Sequence, residues 1–196
     1  MFDLEKISSV PSIQKDSYND DQVPTPYART TSTSVVDVIL SRRSIRNYEQ
    51  KEIPKDVLDK ILEAGRQAPS AINRQPWHFV VVADSKIKKE LSGWFFSRHV
   101  KSAPIVVVGC ADTGVLDKRF SIVNTSIALQ NMVIAAWAMG VGSCWIGGFK
   151  EDKVKKLLNI PDKWKVVALV SFGYPAEIPH AKGRKLIEKI VSFNKF

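Results

Sequence analysis

Cysteine is nearly absent from this chain, with only Cys110 and Cys144 in 196 residues. Both lie in apolar runs, there is no CxxC, and the whole sequence holds three histidines. A disulfide scaffold and a zinc site are therefore poorly supported; no metal is expected, and buried free thiols in a reducing compartment fit better. Dinucleotide fingerprints are missing as well. Gly140-Val141-Gly142 begins like G-x-G-x-x-G, but position 145 is Trp, and no Walker A loop occurs. A nicotinamide nucleotide would have to bind without a Rossmann crevice. The N-terminal MFDLEKISSV has neither a basic start nor a long apolar run, so no secretory signal is expected and the chain reads as cytoplasmic. The most apolar stretch, residues 127–145, is interrupted by Gln130, Asn131, Gly140 and Gly142. It reads as a buried helix and turn, so no membrane partner is expected.

What is present is an ordinary globular composition, 44% apolar and 25% charged, in a length that suits one hydrophobic core. Charge is distributed unevenly. Residues 1–34 are net −2 against +9 for the whole chain, which leaves +11 on the remainder. Such a surface attracts anions, whether nucleic acid, nucleotide cofactors or acidic metabolites. The aromatics sit mostly in apolar runs, without the exposed aromatic–basic alternation of a single-strand binder. Nucleic acid is therefore not the expected partner, and a basic nucleotide- or nucleic-acid-binding module without turnover stands as the alternative class.

Residues 1–33 are rich in Ser, Thr, Asp and Pro with no sustained period, and read as an extended or disordered arm. Residues 34–196 read as the folded domain. Ser34 can cap a helix at Val35, with Asp37 as capping-box partner and an end near Ser41. Pro54 suits the first turn of a second helix whose apolar face is Val57, Leu58, Ile61 and Leu62. WHFVVVA (residues 77–83) reads as a strand, followed by a helix capped by Asp84 or Ser85 and running through Leu91 toward Arg98. Ile105 to Cys110 is a second strand, residues 121–139 a long helix apolar nearly all round, Ser143 to Ile146 a short strand, Lys150 to Leu158 an amphipathic helix, and Lys165 to Gly173 the last strand. Few strands with long helices make an α+β sandwich, not an alternating doubly wound sheet.

Two segments carry the most chemistry. Arg42-Arg43-Ser44-Ile45-Arg46 packs three guanidiniums and a hydroxyl into five residues, a donor set matched to a phosphate dianion. The competing structural use is an arginine at a helix C-terminus, opposite the negative end of the dipole. Pro69 to Trp77, PSAINRQPW, sets small and amide side chains beside an aromatic, a mixture suited to the edge of a planar polar ring. It also reads as a plain turn. Two further segments are Ile146-Gly147-Gly148, where adjacent glycines let backbone approach a ligand, and Lys182-Gly183-Arg184, otherwise a basic surface turn. His78, inside a β-run with no partner in view, is assigned to packing.

In this order and spacing the four segments resemble the FMN-dependent nitroreductase family, over about residues 35–190. The resemblance implies a central, mainly antiparallel sheet flanked by helices in an intertwined homodimer, FMN as cofactor, and NADH or NADPH as a transient electron donor. It implies ping-pong transfer through flavin N5 to an electron-poor acceptor such as a nitroarene or quinone, a small aromatic substrate. Arg42 and Ser44, with Arg43 beside them, would meet the FMN phosphate, and Arg46 the pyrimidine edge, where a cation favours the anionic reduced ring. Pro69, Ser70, Ala71, Asn73 and Gln75 would approach the flavin held mainly by the other subunit. Ile146, Gly147 and Gly148 would pass N5, where some members carry Glu at the position of Gly147. Lys182 and Arg184 would return to the phosphate, and the tail beyond would wrap the partner. No side chain is expected to act as a catalytic acid. Trp94, Phe95 and Phe96 are candidates for a lid, or else for helix packing. Relatives of the fold also perform dehalogenation, azoline oxidation and flavin breakdown, which the motifs leave open.

Overall fold

Helix α1, Val35–Ser41, opens on the expected capping box: Ser34 Oγ accepts from the Asp37 N–H at 3.1 Å, and Asp37 Oδ2 accepts from the Ser34 N–H at 3.2 Å. Ser34→Ala is expected to cost about 1 kcal/mol, read as a lower denaturation midpoint at unchanged slope. The computed structural model describes residues 34–93, 95–114 and 117–196; the expected arm 1–33, Trp94 and the side chains of Phe95 and Phe96 lie outside the described residues. The remaining elements are α2 (Lys55–Arg66), β1 (Trp77–Val82), α3 (Ser85–Leu91), β2 (Ile105–Asp112), α4 (Lys118–Ala138), β3 (Gly142–Ile146), α5 (Glu151–Leu158) and β4 (Trp164–Gly173). Short 3-10 turns occupy Ala71–Asn73, Phe95–Ser102 and Ile187–Lys189.

One expectation is corrected. α3 does not run on toward Arg98; it stops at Leu91, where Ser92 Oγ donates to the Lys89 carbonyl at 2.7 Å and Gly93 follows. A hydroxyl that satisfies a terminal carbonyl, followed by a residue of low helix propensity, ends a helix. The chain resumes as the Phe95–Ser102 turn, fastened by the buried Lys88 ammonium, which donates to the carbonyls of Ala103 at 2.8 Å and Pro104 at 2.9 Å.

The four strands form one sheet in the order β1-β2-β4-β3, every pairing antiparallel. β2 and β4 are central and buried on both faces, hence their near-continuous apolar sequence. Val107, Ala168, Val170 and Phe172 face α2 and α4 together with Ile61, Leu129 and Met132. Val106, Val108, Cys110 and Leu169 face the other way, with Leu91 of α3, Val154 of α5 and Val100. The strand period of two thus builds helix layers on both faces. The register slips between Gly109 and Cys110, opposite Ala168 and Val166, so Val167 bulges. That bulge turns Val166 to the α5 face, and its N–H donates to Glu151 Oε1 at 3.0 Å.

α4 has the length and hydropathy of a membrane span, but Leu129, Met132, Val133 and Ala136 are fully buried against α2 and the sheet, as befits a core helix.

Candidate active site

The arginine segment is laid against the β3 edge of the sheet. Ser44 forms a parallel bridge with Ser143, and the Ile45 N–H donates to the Ser143 carbonyl at 2.9 Å. Its leading end is tied down as well, because Trp137 Nε1 of α4 donates to Ser41 Oγ at 3.0 Å inside the core. Close approach requires glycine at position 142: a Cβ there would lie 2.5 Å from Ile45 Cγ1.

Three guanidiniums leave this segment in different directions. Arg42 is half-buried, and its pKa is lowered first by burial, then by the charges of Arg184 and Arg43. Arg184, from the far end of the domain, is thus a charged neighbour of Arg42, and no carboxylate among the described residues acts on Arg42. Arg43 instead folds back on α1, its Nη1 donating to the carbonyls of Leu40 at 3.2 Å, Ser41 at 2.9 Å and Arg42 at 3.2 Å. It takes the helix-terminus use open to it in the sequence. Arg46 is exposed and lines a cavity of about 620 Å³ with Ile146, Gly147, Gly148, Arg98 and His99.

Cys144 belongs to the same wall and lies close enough to Arg46 and Arg42 for both charges to act on it; burial nevertheless pushes its thiol pKa up. The cavity therefore adjoins the Arg42 charge through Cys144. At Gly147 a Cβ would meet nothing within 4 Å, so the glycine reflects open space beside the strand end and not a packing demand.

Arg98 and His99 were not anticipated from the sequence; the turn that follows the early end of α3 carries them to the cavity. Burial, and then the charge of Arg46, lower the His99 pKa and favour neutral imidazole. Its Nε2 is buried without a hydrogen-bond partner among the described residues.

The other expected residues lie elsewhere. None of Pro69, Ser70, Ala71, Asn73 or Gln75 lines this cavity within the chain. Ser70 is used locally: its Oγ accepts from the Gln75 N–H and its carbonyl from the Asn73 N–H, both at 2.9 Å. The loop is strained, with positive φ at Ile72 (47°), Asn73 (53°) and Gln75 (49°), and the β-branched Ile72 is 79% exposed. Lys182 is exposed, and its carbonyl accepts from Arg184 Nη1 at 3.0 Å. His78 packs at the surface, its ring 5.6 Å from that of Trp164.

Donors for a phosphate, a cation beside an open cavity and a backbone edge free of side chains together suit a nucleotide-like ligand with a planar head group. Comparison with known proteins agrees. A family model described as "Nitroreductase family" matches residues 39–105 and 97–174. The NADH dehydrogenase of Thermus thermophilus is 34% identical over 188 residues, spanning 78% of this chain and 92% of that protein. An FMN-dependent nitroreductase from Clostridium difficile superposes with a TM-score of 0.75 at 32% identity, covering 81% of this chain and 98% of its own. The NADPH:FMN oxidoreductase of Vibrio harveyi, solved with NAD+, superposes at 0.77 with 28% identity, covering 83% and 77%.

Proposed function

The chain belongs to the nitroreductase family, and from that membership we propose that it is an FMN-dependent oxidoreductase that takes electrons from NADH or NADPH and passes them to an electron-poor acceptor of the nitroarene or quinone kind. The observation that carries this reading is the Arg42–Arg184 neighbourhood, two guanidiniums from opposite ends of the domain, with no carboxylate among the described residues acting on Arg42. Without an anion that arrangement is repulsive; a phosphate dianion turns it into a stabilising one.

The residues fit FMN in further respects. Ser44, on the sheet edge beside Ser143, adds a hydroxyl donor near the guanidiniums. His99 Nε2, buried without a partner among the described residues, and exposed Arg46 offer polar contacts on a wall that also carries Arg98, Trp145 and Ile146. FMN bound there would supply the redox chemistry linking a nicotinamide donor to the acceptor in ping-pong order. Arg42, Ser44, Lys182 and Arg184 would hold its phosphate. Arg46 would offer a cation that favours the anionic reduced ring, and the backbone from Ile146 to Gly148 would approach the ring. With glycine at position 147, this chain would place no carboxylate there.

The working unit in this proposal is a homodimer. Val35, Val36, Ile39 and Leu40 on α1 and Phe120 and Val123 on α4 are all more than half exposed. An apolar depression of about 460 Å³ runs along α4 past Ile122, Ile127 and Trp145. So much uncovered apolar surface on a small domain calls for a partner, and a second copy presenting Asn73 and Gln75 would complete the flavin site in trans.

The test is the absorbance spectrum of the purified protein, followed by anaerobic addition of NADH or NADPH. A flavin band bleached by either nucleotide is the expected result. A colourless protein that also fails to take up added FMN would overturn the proposal.

A further inference from the structure

Tyr48 lies two residues beyond the arginine segment and does not line the cavity. Its hydroxyl is nonetheless held on two sides. It stands 2.7 Å from the Ile45 carbonyl and 2.7 Å from Ser171 Oγ, all three buried. A carbonyl can only accept, so the single phenolic proton goes to Ile45 and the Ser171 hydroxyl donates to the Tyr48 oxygen. The alternative acceptor for Ser171, the Cys144 carbonyl, is at 3.5 Å and competes poorly.

This arrangement fixes Ile45 on both sides. Its N–H is held by the Ser143 carbonyl at 2.9 Å, and its C=O by Tyr48. Each of these groups belongs to a rigid peptide plane, the first shared with Ser44 and the second with Arg46. Locking both planes sets the direction in which Ser44 and Arg46 leave the backbone. Space for the device is provided at Gly173 as well as Gly142: a Cβ at 173 would lie 2.7 Å from Tyr48 Cδ1.

We infer that Tyr48 is a positioning residue for the cofactor site, its hydroxyl fixing the Ile45–Arg46 peptide plane and through it the cation presented to the ring. The inference rests on the FMN reading above. Phenylalanine would fill the same space while leaving the Ile45 carbonyl without its donor, so the plane could rotate and Arg46 with it.

The experiment compares wild type, Tyr48→Phe and Asp84→Ala as apoproteins titrated with FMN, followed by the reduction potential of the bound flavin. Asp84 caps α3, accepting from the Lys86 N–H at 2.8 Å and the Ile87 N–H at 2.9 Å. It belongs to neither the cavity wall nor the arginine segment, so its truncation lowers stability without touching the site. Tyr48→Phe is expected to weaken FMN binding about tenfold and move the flavin potential more negative, with Asp84→Ala changing neither. FMN affinity within twofold of wild type and an unchanged potential in Tyr48→Phe would overturn the inference, as would an equal loss in Asp84→Ala. If Tyr48→Phe fails to fold, Ser171→Ala decides. It removes the donor that orients the phenol and is expected to weaken FMN binding a few-fold, and no change there would equally overturn the assignment. Failure of the wild type itself to bind FMN is a separate outcome that sinks the functional reading and this inference together.

Discussion

Arg42→Ala is expected to strip the flavin from the protein while leaving the empty protein at least as stable as before. Arg42 is half-buried and feels Arg184 and Arg43 as repulsive neighbours, after the cost of its own burial. Removing it relieves the unliganded protein of that repulsion. The same change deletes a charge-assisted contact to the phosphate worth about 1.5–3 kcal/mol, roughly 10- to 150-fold in affinity. The two effects have opposite signs, and that sets a binding role apart from a merely structural one. Flavin content after exhaustive dialysis and the melting temperature of the apoprotein measure them separately. Arg42→Lys is expected to fall between, because a point charge on a flexible stem replaces a planar fork. Full flavin occupancy in Arg42→Ala would refute the phosphate assignment; a large loss of apoprotein stability would mean that the guanidinium serves the fold.

Ending the chain after Arg184 is expected to give a monomer that no longer retains FMN. The deleted segment contains Leu186, Ile187, Ile190, Val191, Phe193 and Phe196, every one exposed within its own subunit. Their loss therefore removes no core, and the domain itself should remain folded. In a dimer they would be covered, and burial of a large apolar side chain is worth about 1.5–3 kcal/mol. Losing even three such contacts raises the dimer dissociation constant on the order of 10³-fold. Lys182 and Arg184 are retained in the truncation, so any flavin loss reports the missing subunit and not a missing phosphate ligand. Sedimentation equilibrium with flavin content measured in parallel gives the answer. A truncated protein that is still dimeric at micromolar concentration and still yellow would show that the tail is not what holds the subunits together.

Much of the architecture was legible because its signals are local. The Ser34 and Asp37 capping box, the first turn at Pro54 and the four short strand segments each act over a few residues, and each formed where the sequence places it. The exception is instructive. The expected α3 ran past Leu91 toward Arg98, whereas a serine hydroxyl and a glycine ended it there. A single competing hydrogen bond at a helix end is invisible to periodicity. Arg43 was legible as a choice between two uses, and only the positions of the α1 carbonyls resolved it.

By itself, then, the sequence determined the elements, the family to which the order of its motifs belongs, and the residue types able to bind a phosphate and a planar ring. Tertiary structure decided which of them meet. Arg42 and Arg184 become neighbours, Arg98 and His99 reach the cavity, and Tyr48 finds Ile45 and Ser171 only once the register of β3 on β4 and the Ser44–Ser143 bridge are set. The reason is physical. Propensities, caps and turns are properties of a few adjacent residues, whereas a site assembled from distant segments depends on strand register, and register is settled by the packing of the whole core.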